Sequence, residues 1–248
     1  DALQDGESAY RYAGDEFAVI QLGKEQPAEA ERLAGSLVNA FKEPFVINGI
    51  PVFVGSSIGI ALGPEHGTDG EQLMKAADIA LYAAKTDGRG CARTFNRSML
   101  LLLEQRENLR RSLRTALERN ELYLEYQPLI RPPSSVIGFE ALLRWRHPEI
   151  GIIPPGVFIP IAEADGLMDE IGRWVLEQAC RQALTWPSSL TVAVNLSPAQ
   201  FLSGSLTDTV AQVIDEVGIR ADRLELEITE TVLLEKTIDN IDTLNTLN

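Results

Sequence analysis

The apolar positions of the first 96 residues alternate with turn residues in a pattern that predicts short strands and two helices. Gly14 lies between two apolar runs and can adopt the positive φ of a tight hairpin turn. Asp69 precedes Gln72 by three residues and predicts a helix N-cap, while Gly88 is suited to end that helix. The predicted elements are strands at 9–12, 17–22 and 52–62 and helices at 28–41 and 69–88. Together they predict an α/β sandwich.

From residue 121 onward, strand-like and helix-like patterns follow each other in turn. The predicted strands are 122–130, 136–143, 191–195 and 224–228, and the predicted helices are 155–165, 168–184, 206–217 and 232–247. A Pro132-Pro133-Ser-Ser turn marks the first two strands as antiparallel neighbours. The repeated β-then-α order predicts a parallel sheet covered by helices, and therefore part of a (β/α) TIM-like barrel.

Residues 98–120 predict one connecting helix, with Leu109 and Leu113 on one side and arginines on the other. A structural linker that packs on both domains is the favoured interpretation, and a signalling lever or homodimer contact is the alternative. The predicted organisation is a first domain at 1–96, the linking helix at 97–120 and a second domain at 121–248.

Composition excludes several classes of protein. The chain is 45% hydrophobic and 23% charged, as in a soluble globular protein, and it contains no membrane-length apolar run. With two cysteines and two histidines, a zinc cluster or disulfide framework is excluded, which favours the cytoplasm and leaves oxygen ligands for any metal. The net charge of −14 argues against binding to a nucleic acid polymer.

Three polar residues stand near the ends of strands in the second domain. Glu140 lies within an apolar run, where an unpaired carboxylate is costly, and Asn195 and Glu227 end two later strands. Because barrel active sites form at the carboxyl ends of strands, these oxygen ligands predict a metal site. Taken singly, Glu140 could instead form an ion pair with a neighbouring arginine, and Asn195 could cap the turn that follows it.

The first domain resembles the GGDEF family of diguanylate cyclases. The matching blocks are Arg11-Tyr-Ala-Gly-Asp-Glu-Phe17, Ser57-Ile-Gly-Ile60, Ala77-Asp-Ile-Ala-Leu-Tyr82 and Ala84-Lys-Thr-Asp-Gly-Arg89. The resemblance implies that Asp15 and Glu16 serve metal binding and catalysis, and that Lys85 and Arg89 meet the triphosphate of GTP. Ala13 replaces the first glycine of the signature, so we expect a degenerate domain that regulates; whether it also makes cyclic di-GMP stays open.

The second domain resembles the EAL family of cyclic di-GMP phosphodiesterases. The matching blocks are Tyr126-Gln-Pro128, Glu140-Ala-Leu-Leu-Arg144-Trp, Pro154-Pro155 with Phe158-Ile-Pro160, Asn195-Leu-Ser-Pro198 and Glu225-Leu-Glu-Ile-Thr-Glu230. The resemblance implies that Glu140, Asn195 and Glu227 are catalytic ligands of Mg²⁺ or Mn²⁺. It also implies that Gln127 and Arg144 contact the dinucleotide, Arg144 at a phosphate.

These resemblances predict a tandem protein that opens cyclic di-GMP to linear pGpG. The family's paired aspartates, which complete its two-metal centre, are expected beyond Asn248, so we expect little or no hydrolysis from these 248 residues alone. A catalytically inactive sensor of GTP or cyclic di-GMP, or a signalling scaffold, is the alternative. Binding without a linear product would distinguish the sensor from the enzyme.

Overall fold

A computed structural model describes residues 3, 4, 6–202 and 204–228 of the chain. Two compact units are present, residues 1–105 and residues 106–248. The helix predicted at 232–247 lies outside the described residues, as do Thr229 and Glu230. Within the described ranges, no helix combines the length and the apolar character needed to cross a membrane.

The first unit is mixed α/β, as predicted, and begins with the expected hairpin. Its two strands, β1 (Glu7–Ala13) and β2 (Glu16–Gln21), are antiparallel, and Gly14 at the turn has a φ of 48°. The remaining elements are α1 (Ala28–Ala40), β3 (Phe45–Ile47), β4 (Ile50–Val52), β5 (Ile58–Ile60), α2 (Gly70–Thr86) and β6 (Ala92–Thr94). The Asp69 carboxylate accepts a hydrogen bond from the Gln72 backbone N–H at 2.9 Å, which confirms the predicted N-cap of α2.

The prediction of a single strand at residues 52–62 is wrong. The chain forms β4, which pairs with β3 in a short antiparallel hairpin, and then β5, which pairs in parallel with β6. The two strands have different partners, so they cannot be one continuous element. Gly59 in β5 packs closely on α2, because a Cβ at this position would lie 2.0 Å from the Ala77 carbonyl oxygen.

The connecting helix α3 (Arg97–Leu113) ends seven residues before the predicted boundary at Asn120. Beyond Leu113 the chain forms tight turns, in which the Glu121 N–H donates to the Ala116 carbonyl and Asn120 has a φ of 54°. Leu113 and Ala116 are both buried in the core of the second unit. After Leu113, the apolar side chain of Ala116 is therefore buried by a series of turns rather than by a continued helix.

The second unit is built on one sheet in the order β11-β10-β8-β7. Its strands are β7 (Leu122–Arg131), β8 (Ser135–His147), β9 (Gly151–Ile153), β10 (Thr191–Leu196) and β11 (Leu224–Ile228). β8, β10 and β11 are parallel, whereas β7 and β9 are antiparallel to β8. β9 was not predicted, and over the described residues the sheet is open rather than closed into a barrel.

Helices cover one face of this sheet and enclose the core. They are α4 (Pro155–Ala164), α5 (Met168–Ala183), α6 (Pro198–Leu202) and α7 (Leu206–Val217). Trp145 of β8 and Phe158 of α4 are fully buried and pack edge to face, with ring centroids 5.7 Å apart. The polar residues Glu140, Asn195 and Glu227 are not part of this core and belong to the opposite face of the sheet.

Candidate functional site

The candidate site occupies the face of the sheet opposite the core, which the helices described up to residue 217 leave uncovered. In β11, Leu224, Leu226 and Ile228 pack against the hydrophobic core. Because successive side chains of a strand point to opposite faces, Glu225 and Glu227 project from the other face. The sequence alternation of β11 therefore determines which residues reach the site.

Sheet register brings the three predicted metal ligands together. Asn195 of β10 is the direct partner of Glu227 on β11, so their Cα atoms lie about 4.8 Å apart. Glu140 of β8 pairs with Ala193, two residues before Asn195. The Asn195 Nδ2 atom donates to Glu140 Oε1 at 2.6 Å, so the two side chains are in direct contact although their backbones are offset by two residues.

The two carboxylates of the site repel each other. Partial burial raises the pKa of Glu227, and the negative charges of Glu140 and then Glu225 raise it further. A bound cation would offset this repulsion, because its positive charge would favour the ionised form of Glu227. Two carboxylates and an amide carbonyl are oxygen donors, which fit Mg²⁺ or Mn²⁺ rather than a soft metal. In the described part of the chain, no cluster contains three or more His, Cys, Asp or Glu residues suited to a metal, so the amide of Asn195 is needed to make the set.

Both alternatives drawn from single residues are resolved by the contacts. Among the described residues, Glu140 forms no ion pair with an arginine, and Arg144, the next arginine along β8, is bonded to Glu125. Between residues that the structure describes, the turn after Asn195 is capped by the hydroxyl of Ser197, which accepts from the Ala199 N–H at 3.2 Å. The side chain of Asn195 is thereby left to contact Glu140.

The two residues predicted to bind the dinucleotide lie at different distances from the acids. Gln127 of β7 is exposed and is the register partner of Glu140. Arg144 lies four residues further along β8 than Glu140, or about 13 Å for an extended strand. Its Nε atom donates to Glu125 Oε2 at 2.7 Å, and its side chain is 22% exposed. Arg144 thus carries a guanidinium whose orientation is set by an acid on the neighbouring strand.

Three residues beside Asn195 were missed by the sequence analysis. Ser197 donates from its hydroxyl to Glu163 Oε1 at 2.6 Å, and its backbone N–H donates to Gln200 Oε1 at 2.9 Å. Ser197 and Gln200 are buried. The Asn195-Leu-Ser-Pro198 segment was the available signal, but nothing in the spacing links it to Glu163, which precedes Ser197 by 34 residues.

The GGDEF signature residues of the first unit all lie on its surface. Asp15 and Glu16 are exposed at the tip of the β1–β2 hairpin, and Lys85 and Arg89 are exposed at the end of α2. The guanidinium of Arg11 donates to the Gly14 carbonyl at 2.9 and 2.7 Å and holds the tip in shape. Within the described residues, none of the four signature side chains forms an ion pair.

Comparisons with known proteins agree with this division of the chain. The EAL domain model matches residues 110–248, and the model for the diguanylate cyclase GGDEF domain matches residues 1–91. An uncharacterised signalling protein of Caulobacter vibrioides is 45% identical over 99% of this chain and 31% of its own length. The bifunctional diguanylate cyclase/cyclic di-GMP phosphodiesterase MucR of Pseudomonas aeruginosa is 42% identical over 90% of this chain and 33% of its own length.

A solved structure of the PaMucR phosphodiesterase in its c-di-GMP complex is similar to part of this chain. It has a TM-score of 0.54 and 41% identity, and the match covers 56% of this chain and 59% of that one. The chain spans about a third of the length of the curated relatives named above. Since the EAL model covers more than half of the residues, and the GGDEF model precedes it, the chain belongs to the EAL family, in the tandem arrangement in which a GGDEF domain comes first.

Proposed function

We propose that the protein containing this chain is a divalent-metal-dependent phosphodiesterase that opens cyclic di-GMP to linear pGpG. The observation that supports this most is the convergence of Glu140, Asn195 and Glu227 on one uncovered sheet face. An acid pair held beside an amide is difficult to explain by packing, since the charge of Glu140 adds to the cost of ionising Glu227.

Glu140, Asn195 and Glu227 would hold Mg²⁺ or Mn²⁺ through oxygen atoms. A divalent cation bound there lowers the pKa of a coordinated water and offsets charge on a phosphodiester. In the overall reaction the oxygen of water bonds to phosphorus, the bond from phosphorus to ribose O3′ breaks, and O3′ takes up a proton. The product then carries one 5′ phosphate monoester and one free 3′ hydroxyl.

Two further residues would orient the dinucleotide. Gln127 lies across from Glu140 in the register of β7 and β8, so its amide can donate to a ligand seated above the acids. Arg144 would bind a phosphate oxygen, because a guanidinium forms strong charge-assisted hydrogen bonds with phosphate. Local positive charge matters here, since the net charge of −14 opposes the approach of an anion.

Substitution of Glu140 in the full-length protein tests this function. Glu140→Ala should abolish formation of pGpG, measured by chromatography with saturating Mg²⁺ or Mn²⁺, while circular dichroism shows a retained fold. Glu149→Ala is the matched control, because this exposed acid lies in the turn just after β8. Near-normal turnover by Glu140→Ala would refute the assignment.

The second candidate function is a sensor that binds without hydrolysis. It is favoured for the first unit, where Ala13 stands at a signature glycine position and the exposed signature side chains form no ion pair within the described residues. We propose that this unit binds GTP and regulates the phosphodiesterase. Calorimetry with GTP, and pGpG formation measured with and without GTP, would show binding and a changed rate; no binding would exclude the regulator.

A further inference from the structure

A buried contact fixes the segment that carries Asn195. Ser197, two residues after Asn195, is only 8% exposed, and its hydroxyl donates to the Glu163 carboxylate at 2.6 Å. The same hydroxyl accepts from the Ala199 N–H at 3.2 Å. Both hydrogen-bonding roles of the hydroxyl are therefore used, one to hold the chain and one to begin α6.

A second contact holds the same segment from the other side. Gln200 is 4% exposed and accepts from the Ser197 backbone N–H at 2.9 Å. It packs against Gly172 of α5, where an added Cβ would lie 2.2 Å from Gln200 Nε2. Leu196, between Asn195 and Ser197, is 3% exposed in the core. The backbone directly after Asn195 is thus held by a carboxylate, an amide and core packing.

Glu163 is itself held in position by its neighbours. It lies in the last turn of α4, two residues before Asp165, whose side chain is 3% exposed. Asp165 accepts from Arg110 Nε at 2.6 Å and forms a second ion pair with Arg114 at 3.2 Å. The turn that carries Glu163 is therefore anchored to the end of α3, so its carboxylate is a fixed acceptor rather than a mobile surface acid.

Asn195, in contrast, is exposed. Its side chain contacts Glu140 at 2.6 Å, and the strand ends one residue later. A ligand on an exposed strand end has few packing contacts of its own, so the following backbone determines where the amide oxygen lies. Displacement of a functional group by about 1 Å can reduce its effect about 100-fold.

We propose that Glu163 is the positioning residue for Asn195: its hydrogen bond to Ser197 holds the Asn195 amide where it binds a divalent cation together with Glu140 and Glu227. This inference rests on the proposed function, since it requires a metal at that site.

Mn²⁺ titration of the full-length protein by calorimetry, without dinucleotide, tests the proposal. Glu163→Ala and Ser197→Ala should each weaken Mn²⁺ binding about 10- to 100-fold, the usual effect of removing a residue that supports a metal ligand. Glu163→Gln keeps an acceptor oxygen and should restore affinity to within about threefold of the unmodified protein. Glu170→Ala, an exposed acid in the first turn of α5, is the matched control and should bind normally.

A double substitution separates positioning from general loss of stability. If Glu163 acts through Asn195, then Glu163→Ala should weaken binding no further in a protein that already carries Asn195→Ala. If Glu163→Ala does not fold, the same Mn²⁺ titrations are made with Ser197→Ala, which removes a single oxygen atom.

Three results would overturn the proposal. They are unchanged Mn²⁺ affinity in Ser197→Ala, equal weakening in Glu163→Gln and Glu163→Ala, or full additivity with Asn195→Ala. Failure of the proposed function looks different, because the unmodified protein would then not bind Mn²⁺, or Asn195→Ala and Glu140→Ala would bind as well as it does.

Discussion

Replacement of Gly138 by alanine should separate the two strands that carry Glu140 and Asn195. Gly138 is buried in β8 and is the register partner of Thr191 on β10, two residues before the pair formed by Glu140 and Ala193. An added Cβ would lie 2.4 Å from Thr191 Oγ1 and 2.6 Å from the Thr191 carbonyl oxygen. The hydroxyl can rotate away, but the carbonyl belongs to the strand.

The size of the effect follows from these distances. Ordinary contact begins at 3.4 Å, so relief of the 2.6 Å approach requires a movement of 3.4 − 2.6 = 0.8 Å between the strands. Overpacking of this kind costs about 1–3 kcal/mol. Because the Asn195 Nδ2 to Glu140 Oε1 distance is 2.6 Å, a similar movement at the site would lengthen that contact beyond the ordinary range of hydrogen bonds.

Hydrogen–deuterium exchange of the full-length protein is the suitable assay, since it reports opening strand by strand. Peptides from β8 and β10 of Gly138→Ala should exchange about tenfold faster for each 1.4 kcal/mol lost. Gly156→Ala in α4 is the matched control, because a Cβ there meets no atom within 4 Å. Alanine is also favoured over glycine in helices, so the control should be as stable as the unmodified protein or more so.

Equal exchange in Gly138→Ala and Gly156→Ala would refute this reasoning. It would mean that β8 and β10 do not approach as closely as their register implies. Faster exchange confined to other strands would refute it as well, because the steric conflict is local to Thr191.

Two further predictions concern charge. Burial, Glu140 and Glu225 raise the pKa of Glu227, so protons compete with metal there at a higher pH than at an ordinary carboxyl, and affinity falls as the pH is lowered through that raised pKa. Glu225→Gln removes one of the charges that raise the pKa of Glu227, so Mn²⁺ affinity should be retained to a lower pH. In Mn²⁺ titrations at several pH values, the pH at which affinity falls to half should be lower in this variant. An unchanged or higher value of that pH would contradict the prediction. Arg223 is 6% exposed and donates to the carbonyls of Leu190, Ala183 and Pro187. Arg223→Met should reduce the free energy of unfolding by about 1.5–3 kcal/mol in urea denaturation, whereas the exposed Arg220→Met should change it little; equal stability of the two variants would count against the buried network.

The local patterns of the sequence were sufficient for most of the elements and for the identity of the candidate ligands. In β11 the alternation of Leu224, Leu226 and Ile228 with Glu225 and Glu227 determines the two faces, because the period of a strand is two residues. The hairpin turn at Gly14 and the N-cap at Asp69 depend on neighbouring residues alone, and both were predicted correctly. The strand at 52–62 and the end of α3 were predicted wrongly, because distant partners decide where those elements stop.

Only the tertiary structure decided which of these residues meet. Glu140 and Asn195 are 55 residues apart, and their 2.6 Å contact depends on the register of β8 and β10, where a slip of one residue would turn one of them to the opposite face. The contact between Ser197 and the carboxylate of Glu163 could not be inferred either, since 34 residues separate the two and no local pattern links them. Local periodicity determines the face on which a side chain lies, whereas the pairing of distant strands and turns determines its neighbours.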